Sequence, residues 1–344
     1  FPRTKLAGNH GLSTGSDLCR PVKPDQKVTV PLHLSVMTAR VLPGEMILDY
    51  ELSGHDHTGK YRHFFLSSRS LPSAPYFNGP LDSLSFTAPS IPGLYHLSLR
   101  IRDENAQIYH LNFTSFLVEE EADPAAPSPL REDAGNESRS FSFDPAGFTE
   151  AEWSLKQWNV LEGLKVNGAG SGYFRYEVEL PSGIDMDLVE NVTLVFEASA
   201  KKLHGKDRPE SSEMEGDYMR GRGTLDPGRN PNAYPMTDTR RDPSMVRVRV
   251  NGRVVETFYL EDDPADHRGV LSWFSQPRDR KLREAGSYGY LCKARIPAEL
   301  LREVPGEPVE IRFEVDEGLP GGLAVYGRRF GRYPLDPTLL FESK

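Results

Sequence analysis

The chain has 344 residues and a formal net charge of −9, with 38% hydrophobic and 26% charged residues. That makeup excludes a disordered or collagenous chain, and the anionic balance argues against general nucleic-acid binding, which needs Lys and Arg to neutralise phosphates. Gly 30 and Pro 28 point to many turns and few long helices.

Residues 1–24 are polar and irregular and read as an incoming connector. From Lys27 the pattern changes: Val28–Val36 alternates apolar and polar residues with period two, as a half-buried strand does. Strand-like runs follow at Met46–Leu52, Tyr61–Ser67, Leu81–Thr87, Leu94–Arg102 and Ile108–Val118, separated by Gly, Pro, Asp and Asn. Short strands at this spacing predict an immunoglobulin-like sandwich over residues 25–119. Residues 120–140 lose all periodicity, are polar and Pro-containing, and read as a linker.

A second domain is expected over residues 141–344. Its strands read at Tyr173–Leu180, Val192–Ala198, Met245–Val250, Val254–Leu260, Tyr290–Ile296, Val309–Val315 and Leu323–Tyr326. Asn251-Gly252 lies between two alternating runs and signals a tight hairpin. A single short helix is predicted over Pro297–Val304. Many strands in about 200 residues predict a jelly-roll sandwich, so the fold class is all-β. The Gly-rich run Gly168–Gly172 is followed by a strand, not the helix that a dinucleotide site requires, and reads as a flexible lead-in to that strand.

Cys19 and Cys292 are far apart in sequence and read as free thiols, with no CxxC pair to hold a metal. No run of 18 apolar residues exists, so no membrane span is predicted, and Phe1–Arg20 has no apolar signal-peptide core. The chain starts at Phe1 rather than Met, as after a processing event, and three N-x-[ST] triplets begin at Asn112, Asn136 and Asn191. A secreted or periplasmic setting is the favoured expectation.

The Walker A and H-E-x-x-H motifs are absent. Asp185 with Asp187, Glu261-Asp262-Asp263 and Asp316-Glu317 read as turns and exposed ends, because neighbouring carboxylates rarely face each other across a sugar. His55 and His57, beside Asp56, read as an exposed loop. Aromatics concentrate in the second domain: Trp153, Trp158, Trp273, Tyr173, Tyr218, Tyr234, Tyr288 and Tyr290. They serve either as sandwich core or as platforms for sugar rings. Residues 201–253 hold twelve Lys or Arg against eight acids, a local balance of +4. Within them the irregular stretch 203–244 mixes aromatics with planar hydrogen-bonding groups, a mixture suited to a polyhydroxylated ligand. The residues expected to bind carbohydrate are Tyr218, Arg222, Asp226, Arg229, Asn230, Asn232, Tyr234, His267 and Trp273.

Met245-Val246-Arg247-Val248-Arg249-Val250-Asn251-Gly252-Arg253-Val254-Val255 resembles the V-x-V-N-G hairpin of galactose-binding-like sandwiches in glycoside hydrolase family 2. Gly172–Pro181 is similar to the strand that opens such domains, and Glu314–Gly327 to the C-terminal end of some family members. The resemblance covers residues 25–340 and implies the accessory region downstream of a catalytic (β/α)₈ barrel. The family's catalytic Asn-Glu pair is not carried onto Asn136-Glu137, which lies in the linker with no strand before it. No alternation of helices and strands reads as a barrel.

The expected function is therefore the C-terminal, non-catalytic portion of a family 2-like glycosidase. Such a portion supports a barrel expected upstream of Phe1 and contributes to carbohydrate binding. Alternatives are a stand-alone carbohydrate-binding or adhesion protein, and an independent jelly-roll lyase or glycosidase using His267 beside Arg268. No catalytic residue and no cofactor is assigned in this chain, although sandwiches of this kind can carry a structural Ca²⁺. Carbohydrate and the barrel are the expected partners, with neither nucleic acid nor membrane among them.

Overall fold

The computed structural model describes residues 9–15, 19–39, 44–119, 131–132, 138–203, 241–263, 289–303, 306–319 and 321–343. These residues form an all-β sandwich protein divided into two compact units. Among them, no helix is long and apolar enough to cross a membrane.

The first unit contains β1 (His10–Ser13), β2 (Cys19–Val22), β3 (Lys27–Val36), β4 (Met46–Asp56), β5 (Tyr61–Leu71), β6 (Asn78–Thr87), β7 (Gly93–Arg102) and β8 (Ile108–Val118). One sheet has the order β1-β3-β6 and the other β2-β8-β7-β4-β5. All pairings are antiparallel except β2 with β8. Residues 10–13 and 19–22, predicted as part of a connector, thus form two strands. Each is only four residues long, too short for periodicity to show. In β3 the alternation works as predicted: Val28, Val30, Leu32, Leu34 and Val36 are buried in the core. Pro31 between them has no N–H to donate, and the β3–β6 register shifts at that point.

Asp56 closes the β4–β5 hairpin from inside. Its carboxylate accepts the Thr58 hydroxyl at 2.6 Å, the Thr58 and Lys60 N–H groups at 2.9 Å, and Arg62 Nε at 2.7 Å. The turn predicted as an exposed histidine loop is therefore built around a buried acid, and His55 and His57 are half-buried beside it. Burial would raise the Asp56 pKa, but these four donors outweigh it and hold the group below its ordinary value.

The second unit contains β9 (Arg131–Glu132), β10 (Ser138–Ser142), β11 (Glu150–Trp153), β12 (Lys156–Val160), β13 (Lys165–Ala169), β14 (Gly172–Val178), β15 (Val189–Ser199), β16 (Ser244–Val250), β17 (Arg253–Leu260), β18 (Tyr290–Ile296), α1 (Ala298–Arg302), β19 (Val309–Val315), β20 (Leu323–Tyr326) and β21 (Thr338–Ser343). A five-stranded sheet, β11-β14-β19-β16-β17, packs its inner face against an eight-stranded sheet, β12-β13-β20-β15-β21-β10-β9 with β18 also on β15. The core joins Phe174, Tyr176, Val246, Val248, Ile311 and Phe313 of the first sheet to Val166, Leu194, Phe196, Val325, Leu339 and Phe341 of the second. Each such side chain contributes about 1.5–3 kcal/mol relative to exposure.

Asn251 (φ 46°) and Gly252 (φ 76°) form the predicted two-residue turn between β16 and β17. The Gly-rich run has a different role from the one predicted. Gly168 lies within β13, and a Cβ there would stand 1.9 Å from Cε2 of Trp153. The missing side chain is what lets the indole, from the opposing sheet, lie on the strand.

Candidate functional site

The eight-stranded sheet is covered on both faces. Along β15, Leu194, Phe196 and Ala198 point into the core, while Val195, Glu197 and Ser199 point the other way and are also buried. The cover comes partly from an excursion of the chain. β20 and β21 both pair with the same side of β15, Tyr326 opposite Glu197 and Thr338 opposite Val195. Residues 327–337 leave the sheet between these two adjoining pairings and fold back over it. Tyr333 and Leu335 pack there on Val195 and Leu340.

Glu197 pins this excursion. Its carboxylate, 0% exposed, accepts the Arg332 N–H at 3.0 Å and the Tyr333 N–H at 2.9 Å. Gly331 fits only because it lacks a Cβ, which would sit 2.3 Å from Glu197 Oε2. At the other end of the excursion Asp336 accepts the Arg328 N–H at 2.9 Å. Burial pushes the Asp336 carboxyl above its ordinary pKa against that hydrogen bond.

Register places two rows of side chains on this face. Val160, Lys165, Tyr326, Glu197 and Leu291 stand opposite one another across β12, β13, β20, β15 and β18. Two residues further along, Trp158, Asn167, Ala324 and Ser199 form the second row. Lys165 Nζ lies over the rings of Tyr326 and Phe330, 4.6 and 5.7 Å from their centroids. The Tyr326 hydroxyl is 3.1 Å from Ser199 Oγ, which donates to Ala200 O at 2.9 Å. Trp158 is half-buried, with Lys156 Nζ 5.3 Å and Lys201 Nζ 5.8 Å from its ring centroid. These distances are in the range of favourable cation–π contact.

Beyond the second row, charge is paired. Lys201 Nζ meets Asp263 at 3.0 Å and Lys202 Nζ meets Asp242 at 2.8 Å. Asp262 accepts the N–H groups of Asp242 and Asp263 at 3.0 and 2.9 Å. Burial, with the Asp242 and Asp263 charges adding to it, raises the Asp262 pKa. The Glu261–Asp263 run predicted as an exposed end is thus partly an interior ion-pair system. Within the second row, Asn167 is 1% exposed and its Oδ1 has no hydrogen-bond partner among the described residues. A buried carbonyl in that state costs about 1–3 kcal/mol.

The nine residues predicted from sequence to bind carbohydrate, Tyr218, Arg222, Asp226, Arg229, Asn230, Asn232, Tyr234, His267 and Trp273, lie outside the described residues. The described residues that flank their two segments adjoin the face: Leu203 follows Lys202, Arg241 precedes Asp242, and Gly289 abuts Ala198 and Glu197. Of the other predicted aromatics, Trp153 and Tyr290 pack on the core, while Tyr173 lies under Arg312 at 3.6 Å on the outer face of the other sheet. Sequence reasoning missed Lys165, Asn167, Glu197 and Tyr326 as a group. The available signal was a charge inside apolar strands, as in Val195-Phe196-Glu197-Ala198. Among the described residues, no group of three or more His, Cys, Asp or Glu is placed to hold a metal ion. Cys19 is half-buried and Cys292 is buried, and no disulfide joins them.

No family model matches the chain, and no curated protein matches it. Among solved structures, the beta-glucuronidase of Bacteroides uniformis is similar at 11% identity and a TM-score of 0.21, over 97% of this chain and 30% of that one. Bacteroides uniformis beta-glucuronidase 2 bound to cyclophellitol-6-carboxylate aziridine is similar at 10% identity and a TM-score of 0.19, over 98% of this chain and 30% of that one. A truncated AlyQ with CBM32 and alginate lyase domains is similar at 9% identity and a TM-score of 0.17, over 100% of this chain and 95% of that one. The chain therefore spans less than a third of the glucuronidases' length, and all of these scores lie below those of chains that share a fold.

Proposed function

We propose that this chain is a carbohydrate-binding accessory portion of a family 2-like glycoside hydrolase. Its first unit is an immunoglobulin-like sandwich and its second a jelly-roll sandwich that holds the sugar. The observation that carries the reading is the covered face of the eight-stranded sheet. There a half-buried indole, Trp158, stands beside the buried carboxamide of Asn167 and two lysine–carboxylate pairs. Aromatic faces stack on sugar C–H faces, and planar polar groups bond to hydroxyls. The first unit's name is supported by Tyr95 of β7, whose hydroxyl donates to Ile91 O at 2.9 Å, four residues upstream, as in a tyrosine corner. The catalytic barrel of the same polypeptide is its proposed partner.

The test is a glycan array with the full chain, followed by turnover assays on every saccharide retained. Binding without turnover is expected, and Trp158→Ala should lower the signal at least about tenfold, the loss of roughly one stacking contact. Turnover by this chain alone would favour an independent glycosidase or lyase. No retained saccharide would refute the carbohydrate reading.

A further inference from the structure

We infer that β12 is a self-association edge: it pairs antiparallel with β12 of a second copy of this chain, about a two-fold axis through Trp158. β12 stands at the end of the strand order of the eight-stranded sheet, and its ladder to β13 keeps one register over all five residues. An open edge offers a row of N–H and C=O groups to another chain, and proteins ordinarily blunt it with proline, a bulge or charge. Other edges here carry those devices. β2 contains Pro21 and β6 contains Pro80. β5 and β17 are bulged against their neighbours, at Phe64 and Val255. β11 carries Glu150 and Glu152, and β18 carries Lys293 and Arg295. β12, Lys156-Gln157-Trp158-Asn159-Val160, has no proline, and the Nζ of its one charged residue lies 5.3 Å from the Trp158 ring centroid.

The choice of a second copy as occupant comes from the chemistry on either side of Trp158, which is nearly palindromic. Leu155-Lys156-Gln157-Trp158-Asn159-Val160-Leu161, paired antiparallel with itself, sets Leu155 against Leu161, Gln157 against Asn159 and Trp158 against its own counterpart. Both leucines stand in water, 65% and 62% exposed. Leu161 is also left-handed at φ 46°, ahead of Glu162 at 58° and Gly163 at 103°. Gly or Asn fits such a conformation at lower cost, so the turn itself gives no reason for a leucine. The two-fold arrangement gives one, because each leucine is covered by the other copy's. Gln157 and Asn159, bonded to each other at 2.8 Å, meet the same pair of carboxamides across the axis. The exposed Glu162, just past the end of β12, comes toward Lys156 of the second copy, so the contact is complementary in charge as well. Two-fold symmetry repeats each of these contacts.

Sedimentation equilibrium of the full chain over about 1–200 μM tests the inference. The 38.6 kDa chain should shift reversibly to twice its mass, with a Kd of about 1–100 μM, as suits a contact smaller than a standard interface. Leu155→Glu combined with Leu161→Glu sets like charges against each other at both ends of the pairing and should weaken association at least about tenfold. Leu155→Lys combined with Leu161→Glu sets opposite charges there and should restore it. These substitutions fall on exposed side chains, and circular dichroism checks that each variant keeps its strands. A monomer across the whole range overturns the inference. A dimer that the like-charge variant leaves intact lies on another surface and also overturns it. Association lost in both variants contradicts the antiparallel register and overturns it too. Sugar binding is read separately on the glycan array, so failure here and failure of the carbohydrate reading are distinguishable.

Discussion

A single carboxylate decides whether the covered face exists. Glu197 accepts two backbone N–H groups from residues 332 and 333, and no water-exposed surface remains to replace it. Removing the acceptor orphans two buried donors at about 1–3 kcal/mol each. Glu197→Ala should therefore cost about 2–5 kcal/mol in denaturant unfolding, and Glu197→Gln, which keeps one oxygen acceptor, clearly less. Equal losses for the two variants would show that side-chain volume, not the carboxylate, holds the excursion. Glu197 was legible as an anomaly, a charge inside Val195–Ala198, but its partners were not. They lie more than a hundred residues away in sequence, in an irregular stretch that no periodicity marks.

At the scale of strands, the alternating runs of β3, β14, β16 and β19 were readable because each has one face in a core and one toward solvent. β12, β13 and β21 were not read as strands. β13 and most of β21 are buried on both faces, which removes the alternation. The close approach of Trp153 to Gly168 makes a test at this scale. Gly168→Ala forces a Cβ into the indole and should destabilise by about 1–3 kcal/mol. Trp153→Ala alone leaves a cavity at a cost of about 3–5 kcal/mol. In the double variant the new Cβ meets no ring, so the combined loss should fall short of the sum. Strict additivity, measured by thermal unfolding, would mean that the two residues do not meet.

The two units should respond differently to acid. Burial first, and the neighbouring His110 second, hold the His10 pKa below 6.5. Above that value His10 is neutral in both folded and unfolded chains. As pH falls through 6.5 the unfolded chain takes up a proton that the folded one resists, so stability declines until the lower folded pKa is passed. Asp49 and Asp56 lie below 3.8 when folded, so their contribution is lost only in stronger acid. In the second unit, Asp262 and Asp336 have raised values, so protonating them on acidification relieves a cost. Hydrogen exchange, corrected for intrinsic rates, should therefore show opening around β1 and β3 between pH 7 and 5.5, with no loss of protection in the second unit's strands. Uniform loss of protection in both units would contradict this, as would a His10→Gln variant with the same pH response.

By itself the sequence determined the all-β class, the Asn251-Gly252 turn, the short helix now seen as α1 and most of the long strands. These features follow from contacts between near neighbours and from a side chain's choice between core and water, and both leave a period in the chain. The tertiary structure alone decided that residues 10–13 and 19–22 are strands, that the Gly-rich run is a seat for Trp153, and that Lys165, Asn167, Glu197 and Tyr326 share one face. Those outcomes depend on strand register and sheet order. Both are set by free energies summed over pairings distant in sequence, which no local pattern records.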